Sequence, residues 1–250
     1  TAGSDVDLIL LYDYDDGATE SNGAKPLDAV RYFTRVTQRL IAALSAPTAE
    51  GVLYEVDMRL RPSGNKGPVA TRISTFEKYQ RNSAWVWEHQ ALTRARYCAG
   101  DASIGNRFEA LREDLLRQER DPQKLTQEVL GMRMKMHQAH PNPSTLFDLK
   151  HDDGGMIDIE FLVQFLVLRY AAQYQQLTGD IGNIALLKLC GSLGLIDAAL
   201  ADEVANAYRL FRKLQHQIRL QGEERARTPI ERVQKETDSV KRLWTEVFGG

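Results

Sequence analysis

Residues 156–175, MIDIEFLVQFLVLRYAAQYQ, carry apolar side chains around nearly the whole circumference of a helix. Such a helix has no face to offer to water, so in a soluble chain it must form the buried centre of a bundle. Gly154-Gly155 breaks the chain just ahead of it, and helical periodicities resume at about 181–193, 197–221 and 230–247. Upstream, Ser103 to Arg117 spaces Ile104, Phe108, Leu111 and Leu115 as one helical face, and residues 123–138 follow an Asp-Pro start. The chain beyond residue 100 is therefore predicted to be an all-helical bundle domain, 101–250.

The first hundred residues follow a different pattern. Residues 5–13 form a short apolar run bounded by Asp and Gly, the pattern of a buried strand. Pro26 then opens a predicted helix to about Ala46, with Val30, Phe33, Val36, Leu40, Ile41 and Leu44 at helical spacing. The next stretch, GVLYEVDMRLRP, alternates Val52, Tyr54, Val56, Met58 and Leu60 with Leu53, Glu55, Asp57, Arg59 and Arg61, the period of a strand with one polar face. A turn at 62–67 follows, then short helices from Ser74 to Tyr79 and from about Ala84 to Arg94. The fold class expected is α+β, a small mixed-sheet domain over 1–100 followed by the bundle.

Charge and cysteine content narrow the partners. Lys and Arg total 32 against 34 Asp and Glu, a net charge of −2, so no bulk positive field recruits nucleic acid or an anionic membrane. Cys98 and Cys190 have no metal-ligand spacing and suggest a reducing, cytoplasmic setting. No segment approaches the roughly 20 apolar residues that span a bilayer, and the N-terminus has no signal-peptide pattern. The chain opens at Thr1 almost directly on a strand-like run, and reads as a fragment of something larger.

The chemistry concentrates in carboxylates. Positions i and i+2 of a strand share a face, so Asp5 and Asp7 project together where the first strand meets solvent. Two carboxylates this close repel unless protonated or bridged, and a hard divalent cation with oxygen ligands relieves the repulsion. A lone pair of this kind also suits an ordinary strand end. The second strand adds Asp57, with Glu55, Arg59 and Arg61 on its polar face. If the two strands are neighbours, three carboxylates converge beside two arginines, the composition of a two-metal phosphoryl-transfer site. The alternative is a solvated face crossed by weak salt bridges.

In the rest of the chain the structural readings lead. Tyr79, Trp85 and Trp87 suit packing more than adenine stacking. Glu88, Arg94 and Arg96 suit a buried charge network or a phosphate contact equally. Asp158 and Glu160 in a first helical turn suit the helix dipole, and His137 and His140 a helix end. Met132, Met134 and Met136 have no assigned role.

Four stretches taken in order, TAGSDVDLILLYD, VDMRLRPSGNKGPV, YQRNSAWVWEHQALTRARYCAGD and GGMIDIEFLVQFLVLRY, resemble the bacterial glutamine synthetase adenylyltransferases. These belong to the DNA polymerase beta superfamily of nucleotidyltransferases. The resemblance covers essentially the whole chain. It implies a polymerase-beta-like catalytic domain with Asp5, Asp7 and Asp57 as catalytic residues and magnesium ligands. Ser4, Arg59 and Arg61 would bind the nucleotide, with ATP as substrate. The implied reaction is transfer of AMP to a tyrosine of glutamine synthetase with release of pyrophosphate, in control of nitrogen assimilation. Glutamine and a nitrogen-signalling protein would be effectors of the parent enzyme. The SG-x-x-G turn and Ala84 to Gln90 look more like the adenylylating half than its deadenylylating counterpart, which produces ADP by phosphorolysis. A non-catalytic nucleotide-binding module is the further alternative. One departure stands out: the superfamily's glycine pair upstream of the DxD would fall before Thr1.

Overall fold

The computed structural model describes residues 5–52 and 54–249. Two compact units divide the chain, one built from residues up to Glu88 together with Tyr97–Leu115, the other from His89–Arg96 and the chain from Leu116 onward.

In the first unit the apolar run expected as one strand is two short strands, β1 (Val6–Asp7) and β2 (Leu10–Tyr12), which pair with different partners. β1 lies parallel to β3 (Val56–Asp57), in the register Val6 to Val56 and Asp7 to Asp57. β2 lies parallel to β4 (Ala70–Arg72), with Leu10 opposite Ala70 and Tyr12 opposite Arg72. Parallel neighbours require a crossover connection, and α1 (Ala29–Leu44) supplies the one between β1 and β3.

α1 begins three residues after Pro26 because Asp28 is its cap, its carboxylate accepting the backbone N–H of Arg31 at 3.0 Å. The long strand expected over 51–61 shrinks to β3, since alternation marks faces but pairing needs a partner of equal length. Leu53 lies outside the described residues. α2 (Ile73–Asn82) and α4 (Ala102–Leu116) bring Phe76 and Phe108 to ring centroids 6.1 Å apart, and Ile73, Phe76 and Leu115 are fully buried. α3 (Val86–Leu92) runs from the first unit into the second.

The second unit is the bundle. α5 (Pro122–Ala139) starts on an Asp121 cap with Pro at its first position. α6 (Met156–Tyr170) is the apolar helix: from Met156 to Leu168 every residue except Glu160 and Gln164 is buried. α7 (Gly182–Ser192), α8 (Ala198–Leu220) and α9 (Gln234–Phe248) pack around it. A small antiparallel pair, β5 (Phe147–Asp148) with β6 (Arg227–Thr228), ties the loop before α6 to the segment after α8. Gly154, at φ +87°, and Gly155 make the tight entry to α6. A Cβ at Gly154 would stand 2.6 Å from Thr237 Cγ2, and one at Gly155 would stand 2.8 Å from the Asp152 carbonyl oxygen.

Candidate active site

The parallel pairing of β1 and β3 sets Asp7 directly opposite Asp57. Val6 N–H donates to the Glu55 carbonyl and Leu8 N–H to that of Asp57, each at 2.8 Å, which fixes the register. Asp5, exposed, precedes Asp7 by two residues. The neighbourhood of the two strands, conditional in the sequence, is thus present. Ser4 lies outside the described residues.

The two facing carboxylates have opposite electrostatic situations. Asp7 is held above the ordinary carboxylate pKa, first by partial withdrawal from water, then by the charges of Asp5 and Asp57, with Arg59 opposing. Asp57 is held below it, chiefly by its bond with Arg59. Arg59 wraps back on Asp57: its backbone N–H donates to Oδ1 at 2.7 Å and its Nε–H to Oδ2 at 2.6 Å, with a second guanidinium nitrogen on the same oxygen. The Asp57 side chain is 11% exposed and that of Arg59 70%, so the guanidinium lies on the solvent side.

Arg61 is placed differently. Its Nη1–H donates to the Met58 carbonyl at 2.6 Å and its Nε–H to the Gly67 carbonyl at 3.3 Å, so it braces the turn between β3 and β4. Ser63 sits in that turn at φ +62°. Of the two arginines, Arg59 is the one whose head lies beside the carboxylates.

Three carboxylates suit a hard cation, and the like-charge pressure on Asp7 is the repulsion that such an ion relieves. Magnesium is a cation of this kind, which takes oxygen donors. Among the described residues no three His, Cys, Asp or Glu side chains are gathered into a ready cage. The hold of Arg59 on Asp57 is the contact that an ion would compete with.

A second charged cluster in this unit had no signature in residue spacing. Arg72 donates from Nε to Asp13 Oδ1 at 2.8 Å, and from Nη2 to Asp16 Oδ1 at 2.7 Å and the Tyr14 carbonyl at 2.9 Å. Its guanidinium also stacks 4.3 Å over the Tyr14 ring. Arg107 adds a bond to Asp13 Oδ2 at 3.2 Å. The cluster closes the ends of β2 and β4, beside a cavity of about 590 Å³ lined by Tyr12, Tyr14, Phe33, Thr37 and Ile104.

Other singled-out residues separate. Buried Glu88 accepts from Tyr79 Oη at 3.0 and 3.1 Å and from the Trp85 backbone N–H at 2.8 Å, so it fastens the start of α3. Trp85 is 68% exposed, against the expectation of packing. Arg94 and Arg96 bond within the second unit, Arg94 Nη1–H to Asn183 Oδ1 at 2.8 Å and Arg96 to Asp180 at 3.6 Å. Asp158 is buried in an ion pair with Arg133 and accepts the Gly154 N–H at 2.6 Å. Burial nonetheless raises its pKa, outweighing both partners. Glu160 accepts from Tyr208 Oη at 2.9 Å. His140 terminates α5.

Residues 1–111 match the family described as glutamate-ammonia ligase adenylyltransferase, and residues 123–236 match that described as GlnD PII-uridylyltransferase. The bifunctional glutamine synthetase adenylyltransferase/adenylyl-removing enzyme of Aromatoleum aromaticum is 51% identical over 246 residues, which cover 98% of this chain and 25% of the relative. The enzyme of the same name from Bordetella bronchiseptica is 49% identical over 245 residues, with the same two coverages. That of Agrobacterium fabrum is 67% identical over 168 residues, 67% of this chain and 17% of the relative. The chain spans about a quarter of the length of the first two.

Proposed function

The chain belongs to the glutamate-ammonia ligase adenylyltransferase family, and from that premise we propose that it carries a nucleotidyl-transfer site that moves AMP from ATP to a tyrosine of glutamine synthetase. The observation that carries the reading is the register opposing Asp7 to Asp57, with exposed Asp5 just ahead of the strand. The relatives' names supply the substrate protein and both directions of the reaction.

In the adenylylating direction the phenol gives up its proton to water as its oxygen attacks the α-phosphorus, a new O–P bond forms, and the bond from the α-phosphorus to the oxygen bridging it to the β-phosphorus breaks to release pyrophosphate. Asp5, Asp7 and Asp57 would hold magnesium, which supplies neutralisation of the triphosphate and acidifies the attacking phenol. Arg59 is the side chain placed to take phosphate charge, because its exposed guanidinium is permanently charged and matches phosphate oxygens in pairs. Asp57 is held below the ordinary carboxylate pKa chiefly by its bond with Arg59. Its part is to hold charge and position more than to carry a proton away. Arg61 supports the site through the turn.

No helix among the described residues is long and apolar enough to cross a membrane, and the reading places the activity in the cytoplasm. Glutamine and a small nitrogen-signalling protein are proposed effectors of the longer enzyme.

The test is AMP incorporation from α-labelled ATP into glutamine synthetase. Asp5→Asn, Asp7→Asn and Asp57→Asn are each expected to lower the rate at least about 100-fold, the scale of losing charge stabilisation in a transition state, with the circular dichroism unchanged. Full activity in any of the three defeats the assignment. Release of pyrophosphate from ATP, against release of ADP from AMP-tyrosine and phosphate, decides the direction.

A further inference from the structure

The apolar surface of α6 has two gaps, Glu160 and Gln164, one helical turn apart and so on one face. They open onto a cavity of about 490 Å³ inside the helical unit, whose other polar walls are Arg94, Asn183, Tyr208 and Arg212. Tyr208 and Arg212 also stand one turn apart, on α8, and Asn183 lies in the first turn of α7. We propose that this cavity is a binding site for a protonated phosphate group, either inorganic hydrogen phosphate or a phosphate monoester.

The charge balance favours an anion. Two guanidinium groups face one carboxylate, and the α7 N-terminus, whose cap residue Ile181 contributes no side-chain bond, adds partial positive charge. Arg94 spends Nη1 on Asn183 Oδ1 and keeps other N–H donors. Arg212 is exposed to solvent and makes no hydrogen bond or ion pair with any described residue, so its guanidinium is free to hold an oxyanion in the cavity that it lines.

Glu160 sets the kind of anion. One of its oxygens accepts from Tyr208, a phenol whose pKa is pushed up to about 12 by burial and by Glu160, and which therefore stays a donor. An ionised carboxylate only accepts hydrogen bonds. An oxyanion without a proton is repelled there, whereas one that still carries a proton donates it to the remaining oxygen. Inorganic phosphate near neutral pH meets that condition, a phosphate monoester meets it only in the fraction still protonated around its second pKa of about 6, and sulfate does not.

The experiment is isothermal titration of the whole chain at neutral pH without divalent ions, using inorganic phosphate, AMP and sulfate as probes. Phosphate or AMP is expected to bind at least about tenfold more tightly than sulfate. The tighter of the two tells a free phosphate site from a monoester site. Arg212→Gln should weaken binding about tenfold or more, the scale of one charge-assisted contact. Glu160→Gln, which keeps an acceptor for Tyr208, should bring phosphate and sulfate to within about twofold. Asp57→Asn, which removes a proposed metal ligand in the first unit, should leave phosphate binding unchanged, so the two sites fail separately. The proposal is overturned if the native chain binds neither phosphate nor AMP, if it binds sulfate equally, or if both Arg212→Gln and Glu160→Gln bind as the native chain does.

Discussion

His151 illustrates how one side chain can set a pH limit for the bundle. Its ring stacks on that of His140 at 4.3 Å between centroids, and its Nδ1 is buried without a hydrogen-bond partner. Burial pushes its pKa down to about 4, the charges of Lys150, His140 and Arg225 assist, and Asp148 opposes. In the unfolded chain the same group titrates near 6.5. Between those values the unfolded chain binds the proton that the folded one refuses, so stability must fall as the pH drops from about 6.5 to about 4. Urea midpoints measured across that range should decline in the native chain and decline less in His151→Gln. An equal decline in the two would mean that other groups carry the effect. The candidate site was partly legible at the same scale. A strand period of two places Asp5 and Asp7 on one face, and the polar face of the next strand yields Asp57. That Arg59 would fold back on Asp57, and Arg61 turn into the loop, depends on rotamers and carbonyl positions that no spacing rule encodes.

At the scale of elements, the helices were largely legible and the strands only in part, since β1, β2 and β3 fall within expected stretches and β4, β5 and β6 do not. Helices close their hydrogen bonds within a few residues, so caps such as Asp121 and periodicities such as that of α6 carry their own evidence. β4 has three residues and pairs across a separation of about 60 positions, while β5 and β6 have two residues each; nothing local announces them. The join between α5 and α6 shows what a buried charge does at this scale. Arg133 reaches from α5 to Asp158 in the first turn of α6, and also donates from Nη2 to the His151 carbonyl at 3.1 Å. Each side chain of the pair is less than a tenth exposed. Replacing one partner strands the other, so Arg133→Met is expected to cost about 3–5 kcal/mol in chemical unfolding. Arg133→Met combined with Asp158→Leu should recover much of that loss. If the double variant is as unstable as the single one, the two helices depend on the arginine's other contacts more than on the stranded carboxylate.

Over the whole molecule, burial is uneven in a way that ties function to local stability. α6 buries nearly all its length, and the side chains of Ile159, Leu162, Leu166 and Leu168 are essentially inaccessible. α1 buries only Thr37, and leaves Val30 56%, Val36 44% and Leu40 41% exposed. Local opening costs roughly what the packing of a segment contributes, and burying one large aliphatic side chain is worth about 1.5–3 kcal/mol. α6 should therefore open only with the bundle, whereas α1 opens alone at much lower cost. β1 and β3, which hold the proposed catalytic carboxylates, form a pair of only two residues each, and so share the weakly protected end of the range. Hydrogen exchange followed by mass spectrometry should find peptides from 156–170 protected longest and peptides from 29–44 exchanging at least about 100-fold faster, the ratio that a difference of roughly 3 kcal/mol produces. Adding ATP with magnesium should slow exchange in peptides containing residues 5–12 and 54–61 and leave 156–170 unchanged, because a ligand protects by raising the cost of opening where it binds. Equal protection of α1 and α6 would show that the thinly packed helix gains stability from cooperative unfolding with the rest of the chain.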